Sequence, residues 1–346
     1  MSLQSIALFR LSAIGDVLMY VPTLRALQVA FPDAKITWII SRPAYDLVKN
    51  IAGVEFMVID KPKTLSDFWR FRQTLKAYHF DVLLATQASF RAHLLYPLIK
   101  AKRKIGYDKI RAQEGHHWFI NESIPFRKNH TVEGFLQFAQ YLGANTQKVV
   151  WDIPLEPEAT QWVDQYLQTF DRKLGPVVLI NAASSKLERC WFSERFIEVI
   201  QFLQQHYAAH VILIGGPSPL DKKIADEIVQ HVDVHNLVGK TKLVQLFAMV
   251  AKADLLICPD TGPSHMAAAL GTKVISLHAV TKPEISGPYG QLNHVVNQFP
   301  QAKRQYHTHE PKNLDKDWFE KVHHPDVMRL VEVKDVIEKI QTILGY

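Results

Sequence analysis

Asp260-Thr261-Gly262-Pro263-Ser264-His265 puts a carboxylate, two hydroxyls, a glycine turn and an imidazole in one short run. The apolar residues Leu255 to Cys258 lead into it and read as a buried strand. Pro263 suits the first turn of a helix, where a missing N–H costs little. A helix start presents free N–H groups and the positive end of the dipole, so it holds anions well. In that reading Thr261 and Ser264 offer hydroxyls, Gly262 lets a ligand approach the backbone, and His265 can carry positive charge. The ligand would be a diphosphate. The same residues also describe an ordinary strand-to-helix turn. There Asp260 orients the turn through backbone bonds, and His265 is a structural histidine bonded to a carbonyl. A second corner lies near the start of the chain, where a short apolar strand, 5–9, is followed by the turn 10–16. On its residues alone, Asp16 caps a helix beginning at Val17.

The elements that must position these corners repeat in a β-then-α order. Strands are expected at 35–40, 56–59 and 81–85, with helices at 17–31, 44–50 and about 67–77. Residues 151–176, punctuated by Pro154, Pro157 and Pro176, read as a connection with one helical segment inside. The alternation then restarts. Strands are expected at 177–181, 210–214 and 273–277, and helices at 192–207, 219–231 and 241–251. Continuous apolar strands of this kind belong to parallel sheets covered on both faces. The fold class expected is α/β, with two Rossmann-like domains facing a central cleft and ligands beyond the carboxyl ends of the strands. The segment 300–325 reads as irregular. Residues 333–344 are amphipathic, with Val336, Ile337, Ile340, Ile343 and Leu344 on one side.

The chain has 346 residues, of which 47% are hydrophobic and 21% charged, enough for two domains with ordinary cores. Its two cysteines, Cys190 and Cys258, are far apart and in no metal spacing, which points to a reducing compartment. Arg10 and Asp16 interrupt the N-terminal apolar region, so no secretory signal is apparent, and no apolar run is long enough to span a bilayer. The expected location is cytoplasmic, with peripheral contact at the cytoplasmic face of the inner membrane. The net charge of +6 is uneven: residues 1–150 hold 20 Lys or Arg against 11 Asp or Glu. A basic first half suggests an anionic partner. Nucleic acid, an acidic membrane surface and a phosphorylated substrate all fit.

Leu8-Phe-Arg-Leu-Ser-Ala-Ile-Gly-Asp-Val-Leu18, with Pro22-Thr-Leu-Arg-Ala-Leu27 behind it, resembles the N-terminal signature of glycosyltransferase family 9, the bacterial lipopolysaccharide heptosyltransferases. Asp260 to His265, followed by Ala267-Ala-Ala-Leu-Gly271, resembles that family's donor-site motif. Further matches are Arg103-Lys-Ile-Gly-Tyr107, His130-Thr-Val-Glu133, Arg189-Cys-Trp191, Gly239-Lys-Thr241 and Thr281-Lys-Pro283. The resemblance covers essentially the whole chain in order. It implies a GT-B fold: an acceptor domain at 1–155, a nucleotide-sugar domain at 156–325, and a final helix, 326–346, packing back toward the N-terminal domain. It also implies inverting, metal-independent transfer of heptose from ADP-L-glycero-D-manno-heptose to an inner-core acceptor of lipopolysaccharide, either Kdo or heptose. No cofactor is implied. The partners implied are the nucleotide-sugar and an anionic lipid-linked saccharide, with no nucleic acid; a monomer is expected.

The resemblance assigns roles residue by residue. Asp16 matches the family's general base, which would take the proton of the acceptor hydroxyl. Arg189 matches a basic position near the donor phosphates, where a guanidinium can neutralise a leaving diphosphate. Lys186 is a second basic candidate, and Ser184 and Ser185 can add hydroxyl contacts. The alternative for this segment is a solvated basic loop. Asp260, Thr261, Gly262 and His265 form the diphosphate cradle. Gly215 closes another strand and could line the nucleotide pocket, and Asp221 is the candidate to hold the donor's sugar hydroxyls. Lys282 stands where the family is often acidic. Arg42, Lys61, Lys63, Arg91, Arg111 and Arg127, with Lys128, are candidates for acceptor phosphates or carboxylates; taken singly, each also reads as a solvated charge. Asp315-Lys316-Asp317 spells a metal-binding DxD outside any strand-to-turn context and reads as chance, so no metal is assigned. Competing readings are a family 9 transferase with another nucleotide-sugar donor, an epimerase on the same architecture, and a nucleotide- or nucleic-acid-binding protein. An epimerase leaves the basic first half unexplained. The last lacks any RNA-binding signature.

Overall fold

The computed structural model describes residues 3–345 except 61, 63, 88, 113–114 and 307–314, and the side chain of residue 316. The acceptor candidates Lys61 and Lys63 therefore lie outside the described residues. The chain divides into two compact units, Met1–Pro154 and Leu155–Tyr346.

The first unit contains β1 (Ser5–Phe9), α1 (Ile14–Ala30), β2 (Lys35–Ser41), α2 (Arg42–Val48), β3 (Glu55–Ile59), α3 (Leu65–Thr74), β4 (Phe80–Ala85), α4 (Phe90–His93), β5 (Ala101–Gly106), β6 (Glu122–Ser123) and α5 (Thr131–Tyr141). Its six strands run in the order β3-β2-β1-β4-β5-β6, and every pairing is parallel. The central strands are apolar on both faces because both are covered. On one side Phe71, Leu75, Ala92 and Leu95 pack with Ala7, Phe9, Ile39 and Leu83. Elsewhere in the same core Tyr20 of α1 meets Trp38 and Phe135 edge-on, with ring centroids 5.6 and 5.2 Å away.

The second unit contains α6 (Pro157–Leu167), β7 (Val177–Asn181), α7 (Ser193–Tyr207), β8 (His210–Ile214), α8 (Pro219–Val229), β9 (His235–Asn236), α9 (Leu243–Lys252), β10 (Leu255–Pro259), α10 (Gly262–Leu270), β11 (Val274–His278), α11 (Pro283–Ser286), β12 (Val296–Asn297), α12 (Phe299–Tyr306) and α13 (Val333–Leu344). Its sheet order, β12-β11-β10-β7-β8-β9, is again all parallel. Counted within the unit and read from its other edge, this is the order of the first sheet.

Two expectations need correction. α1 begins at Ile14, not Val17, so Asp16 sits inside the first helical turn. Residues 299–306 form a helix where an irregular tail was expected. Two fully buried residues of the final helix, Val336 and Ile340, belong to the second unit's core. The approach to α13 is fastened there too, since Trp191 Nε1 donates to the Val331 carbonyl at 3.0 Å and Arg195 donates to the Arg329 carbonyl at 2.8 Å.

Candidate active site

In both sheets the strand order reverses once, between β1 and β4 and between β7 and β10. Parallel sheets bind ligands beyond the carboxyl ends of the strands at that reversal. Both polar corners stand there.

In the first unit, Arg10 follows β1 and is buried. Its guanidinium donates to the Thr86 carbonyl beyond β4 at 2.5 Å and to Asp16 Oδ2. Burial works against the Arg10 charge, but Asp16, with Tyr107 and Tyr96, raises its pKa above the ordinary value. The same Oδ2 accepts the Ala13 N–H at 3.0 Å. Asp16 thus caps α1 and pairs with Arg10 through one oxygen, while Oδ1 takes no hydrogen bond from the described residues. The carboxylate keeps about a third of its surface exposed. Gln87 ties the loops together, accepting the Leu11 N–H at 2.7 Å and donating to Ser12 Oγ at 3.2 Å. Tyr107 donates to the Thr86 carbonyl at 3.1 Å. The result is a rigid cup holding a partly open carboxylate.

The acceptor candidates do not all join that cup. Arg111 is committed to structure: it pairs with Asp108 and donates to Gln137 Oε1 and the Pro125 carbonyl, both at 2.9 Å. All three guanidinium nitrogens of Arg111 thus hold partners inside its own unit, using three of its five N–H donors. Arg42, Arg91 and Arg127 are exposed. Arg42 lies 5.7 Å from the Tyr45 ring centroid.

In the second unit, Asp260 follows β10 and is nearly buried. Its Oδ2 accepts from Thr281 Oγ1 at 2.8 Å and faces Arg189 Nη1 at 3.5 Å. Arg189 Nη2 also donates to Ser185 Oγ at 2.8 Å, and Ser184 Oγ donates to the Asp260 carbonyl at 3.1 Å. Arg189 Nε is buried with no hydrogen-bond partner among the described residues. Burial favours the neutral form of Asp260, yet His278, His265, the Thr281 hydroxyl and Arg189 outweigh it and hold the pKa below the ordinary carboxylate value. His278 is fully enclosed, and burial keeps its pKa low despite Asp260. It bonds Thr281 Oγ1 at 3.2 Å and Ser276 Oγ at 3.0 Å, so a polar chain runs from the sheet interior to Asp260.

α10 starts directly after Asp260. Thr261 is its N-cap residue and makes no side-chain cap bond. A Cβ built on Gly262 would meet nothing within 4 Å, so the first turn of the helix is open to a ligand. Ser264 does not serve as expected: it is fully buried and its hydroxyl returns to the Thr261 carbonyl at 2.7 Å. His265 is buried in the same turn. Gly271, at φ 78°, ends the helix in the left-handed conformation that glycine tolerates. Lys186 is exposed and 3.9 Å from Glu188.

Asp221 takes part in a helix cap. Its Oδ1 accepts the Gly216 N–H at 3.0 Å, its Oδ2 accepts from Ser218 Oγ, and its own N–H donates back to that oxygen at 3.2 Å. Both oxygens take part in the turn that caps α8. Gly215 stands close to this turn: a Cβ there would come within 2.9 Å of Asp221 Oδ1, which would have to shift. Asp221 still lines a small pocket with Ile180, Ala182, Ala183, Leu213, Ile214, Ala225 and Val238 at the ends of β7 and β8. Lys282 donates to the Asp317 and Trp318 carbonyls at 2.6 and 3.2 Å, so the last residue of the DxD-like run and its successor hold a lysine through their backbone. Among the described residues no group of three metal-ligating side chains occurs.

Sequence reasoning missed Arg10, Thr86 and Gln87 as site residues, and the chain Ser276–His278–Thr281. A signal existed for the second group: a serine and a histidine inside the otherwise apolar strand Val274–His278 must find partners when buried.

Twin parallel sheets with polar corners at both reversals define the two-Rossmann architecture of the GT-B glycosyltransferases. Comparison with known proteins narrows this. The model of glycosyltransferase family 9 (heptosyltransferase) matches residues 68–315. The chain is 32% identical over 344 residues to the lipopolysaccharide core heptosyltransferase OpsX of Haemophilus influenzae, covering 98% of this chain and 97% of that protein. It is 27% identical over 281 residues to lipopolysaccharide heptosyltransferase 3 of Escherichia coli, covering 77% of this chain and 80% of that one. A family 9 glycosyl transferase from Veillonella parvula has the same fold, with a TM-score of 0.80 at 20% identity over 99% of this chain and 98% of that one. E. coli ADP-heptose lipopolysaccharide heptosyltransferase II gives 0.73 at 17% identity over 99% and 98%. The chain belongs to glycosyltransferase family 9.

Proposed function

We propose that this chain transfers heptose from ADP-L-glycero-D-manno-heptose to an inner-core lipopolysaccharide acceptor, Kdo or heptose, with inversion at the anomeric carbon. Asp16 is the general base. Its carboxylate takes the proton of the acceptor hydroxyl as that oxygen attacks the anomeric carbon, on the face opposite the leaving ADP. Arg10 fixes where the carboxylate points. On the donor side, the N–H groups of α10, Arg189 and Lys186 meet the charge that grows on the diphosphate as the glycosidic bond breaks. Asp260, held by Thr281, presents an oxygen to donor hydroxyls.

The observation that carries this reading is the open first turn of α10. It lies beside Arg189 and a buried, ionised Asp260, in a chain of this family. A panel of nucleotide-sugars read by thermal shift tests it. A ligand at one hundred times its Kd stabilises by about 2.7 kcal/mol. ADP-heptose should raise the melting temperature more than ADP, and UDP-sugars should leave it unchanged. Stabilisation by UDP-sugars alone would overturn the donor assignment.

A further inference from the structure

Thr281 and Arg189 reach Asp260 Oδ2 from two different loops, and one further segment of the second unit holds both loops. Thr281 Oγ1, 2.8 Å from that oxygen, lies in the loop after β11. Arg189 Nη1, 3.5 Å from it, lies in the loop after β7. β11 and β7 are the two neighbours of β10, the strand that leads into Asp260. Residues 317–323 are fastened to each loop. The Val322 N–H donates to the Val280 carbonyl at 3.0 Å. Lys282 Nζ donates to the Asp317 and Trp318 carbonyls at 2.6 and 3.2 Å. His323 Nδ1 meets Glu188 Oε1 at 2.9 Å. The anchors therefore stand immediately before and after Thr281, and immediately before Arg189.

The Lys282 contact is enclosed. Its ammonium lies 5.4 Å from the Phe299 ring centroid and 5.6 Å from that of Trp318. Asp317 Oδ2 and Trp318 Nε1 are buried with no hydrogen-bond partner among the described residues, so these side-chain atoms do not fix the segment. Lys282 holds it through the backbone instead. Gripping two carbonyls takes a group with donors; an ammonium has three and a carboxylate none. The acid often found at this position in the family could not make the contact. From behind, α12 supports the same segment: Lys303 pairs with Glu320 at 2.5 Å, and Tyr306 stacks on His324 with centroids 4.0 Å apart. Phe299 and Ala302 seat α12 in the core of the unit, so the support is rigid.

We propose that residues 317–323 brace the donor corner, setting the spacing of Thr281 and Arg189 about Asp260, with Lys282 and His323 as positioning residues. They act through the two loops and not on the ligand. Polar groups in an enclosed site are strong when they are held in place before the ligand arrives, and a loop free to swing forfeits that. The brace rests on the reading of this corner as the diphosphate site.

Two variants cut the two anchors. Lys282→Met keeps the stem and deletes the donors. By titration calorimetry its affinity for ADP-heptose should fall about tenfold, and Lys282→Arg should restore most of it, whereas Lys282→Asp should bind no better than Lys282→Met. His323→Ala removes a side chain that is 54% exposed, so its melting temperature should not change while affinity falls about threefold. Hydrogen exchange without ligand reads the loops directly: deuterium uptake should rise over 279–283 in Lys282→Met and over 186–191 in His323→Ala. Wild-type affinity in both variants, with a lower melting temperature of Lys282→Met as the only effect, would overturn the brace. If ADP-heptose does not bind the wild type, the donor reading fails on its own. Exchange then decides the brace: raised uptake supports it and unchanged uptake overturns it.

Discussion

At the residue scale, Asp16 caps a helix and still leaves part of its carboxylate open for the base role proposed above. One oxygen caps α1 and pairs with Arg10; the other takes no bond from the described residues. Asp16→Asn should therefore cut transfer by about a hundredfold to ten-thousandfold while nucleotide binding in the second unit survives. Steady-state rates beside ADP titration calorimetry check this; near-normal turnover would remove Asp16 from the mechanism. Thr281 gives a sharper test, because its hydroxyl sits between Asp260 and His278. Thr281→Val keeps the shape and deletes the hydroxyl that Asp260 accepts from at 2.8 Å. Donor affinity should fall about tenfold, the cost of one hydrogen bond to a charged group, and Thr281→Ser should restore it. If valine and serine bind donor equally well, the Thr281 contact does not position Asp260. The Asp16 candidate came from its motif, whereas the contacts of Arg10 and Thr281 span 76 and 21 residues of chain, which no local spacing reveals.

At the element scale, the strands were the readable part. β7, β8 and β1 fall where their apolar runs place them, because a parallel strand buried on both faces is apolar at every position. Helix starts were harder. α1 begins after Ala13, whose side chain offers no capping group, so nothing local marks its first residue. α12 was missed because Pro300, Lys303 and Arg304 make its stretch look like a polar loop, while Phe299 and Ala302 supply a buried side. Asp221 shows a capping contact that its motif did not announce. Ser218→Ala should cost about 1 kcal/mol of stability by loss of the α8 cap, with donor affinity unchanged. Chemical denaturation and donor titration on one variant separate the two readings. For α13, Ile340→Ala should cost about 2–5 kcal/mol, the usual range for a core truncation, measured as a lower denaturation midpoint of the second unit. No loss would mean that the helix is not part of that core.

At the scale of the whole molecule, the same strand order occurs twice, and each copy places its polar residues at its own reversal point. Buried imidazoles give both copies a common pH response. Burial pushes His116 down to about 4, and His278 and His294 are lowered for the same reason. These groups are neutral in the fold, whereas the unfolded chain protonates near the ordinary value of 6.5. Stability is therefore complete above that value and falls as pH drops toward 4, by on the order of 3 kcal/mol from His116 alone. Melting temperatures between neutral and acidic pH check this, and His116→Gln should flatten part of the slope. The central claim, however, is the reaction. Its most direct test is mass spectrometry of an inner-core acceptor incubated with the protein and ADP-heptose. The account predicts an acceptor heavier by one heptose, with ADP released in step and both signals absent for Asp16→Asn. An unchanged acceptor mass with ADP-heptose, alongside transfer from a different nucleotide-sugar, would contradict it.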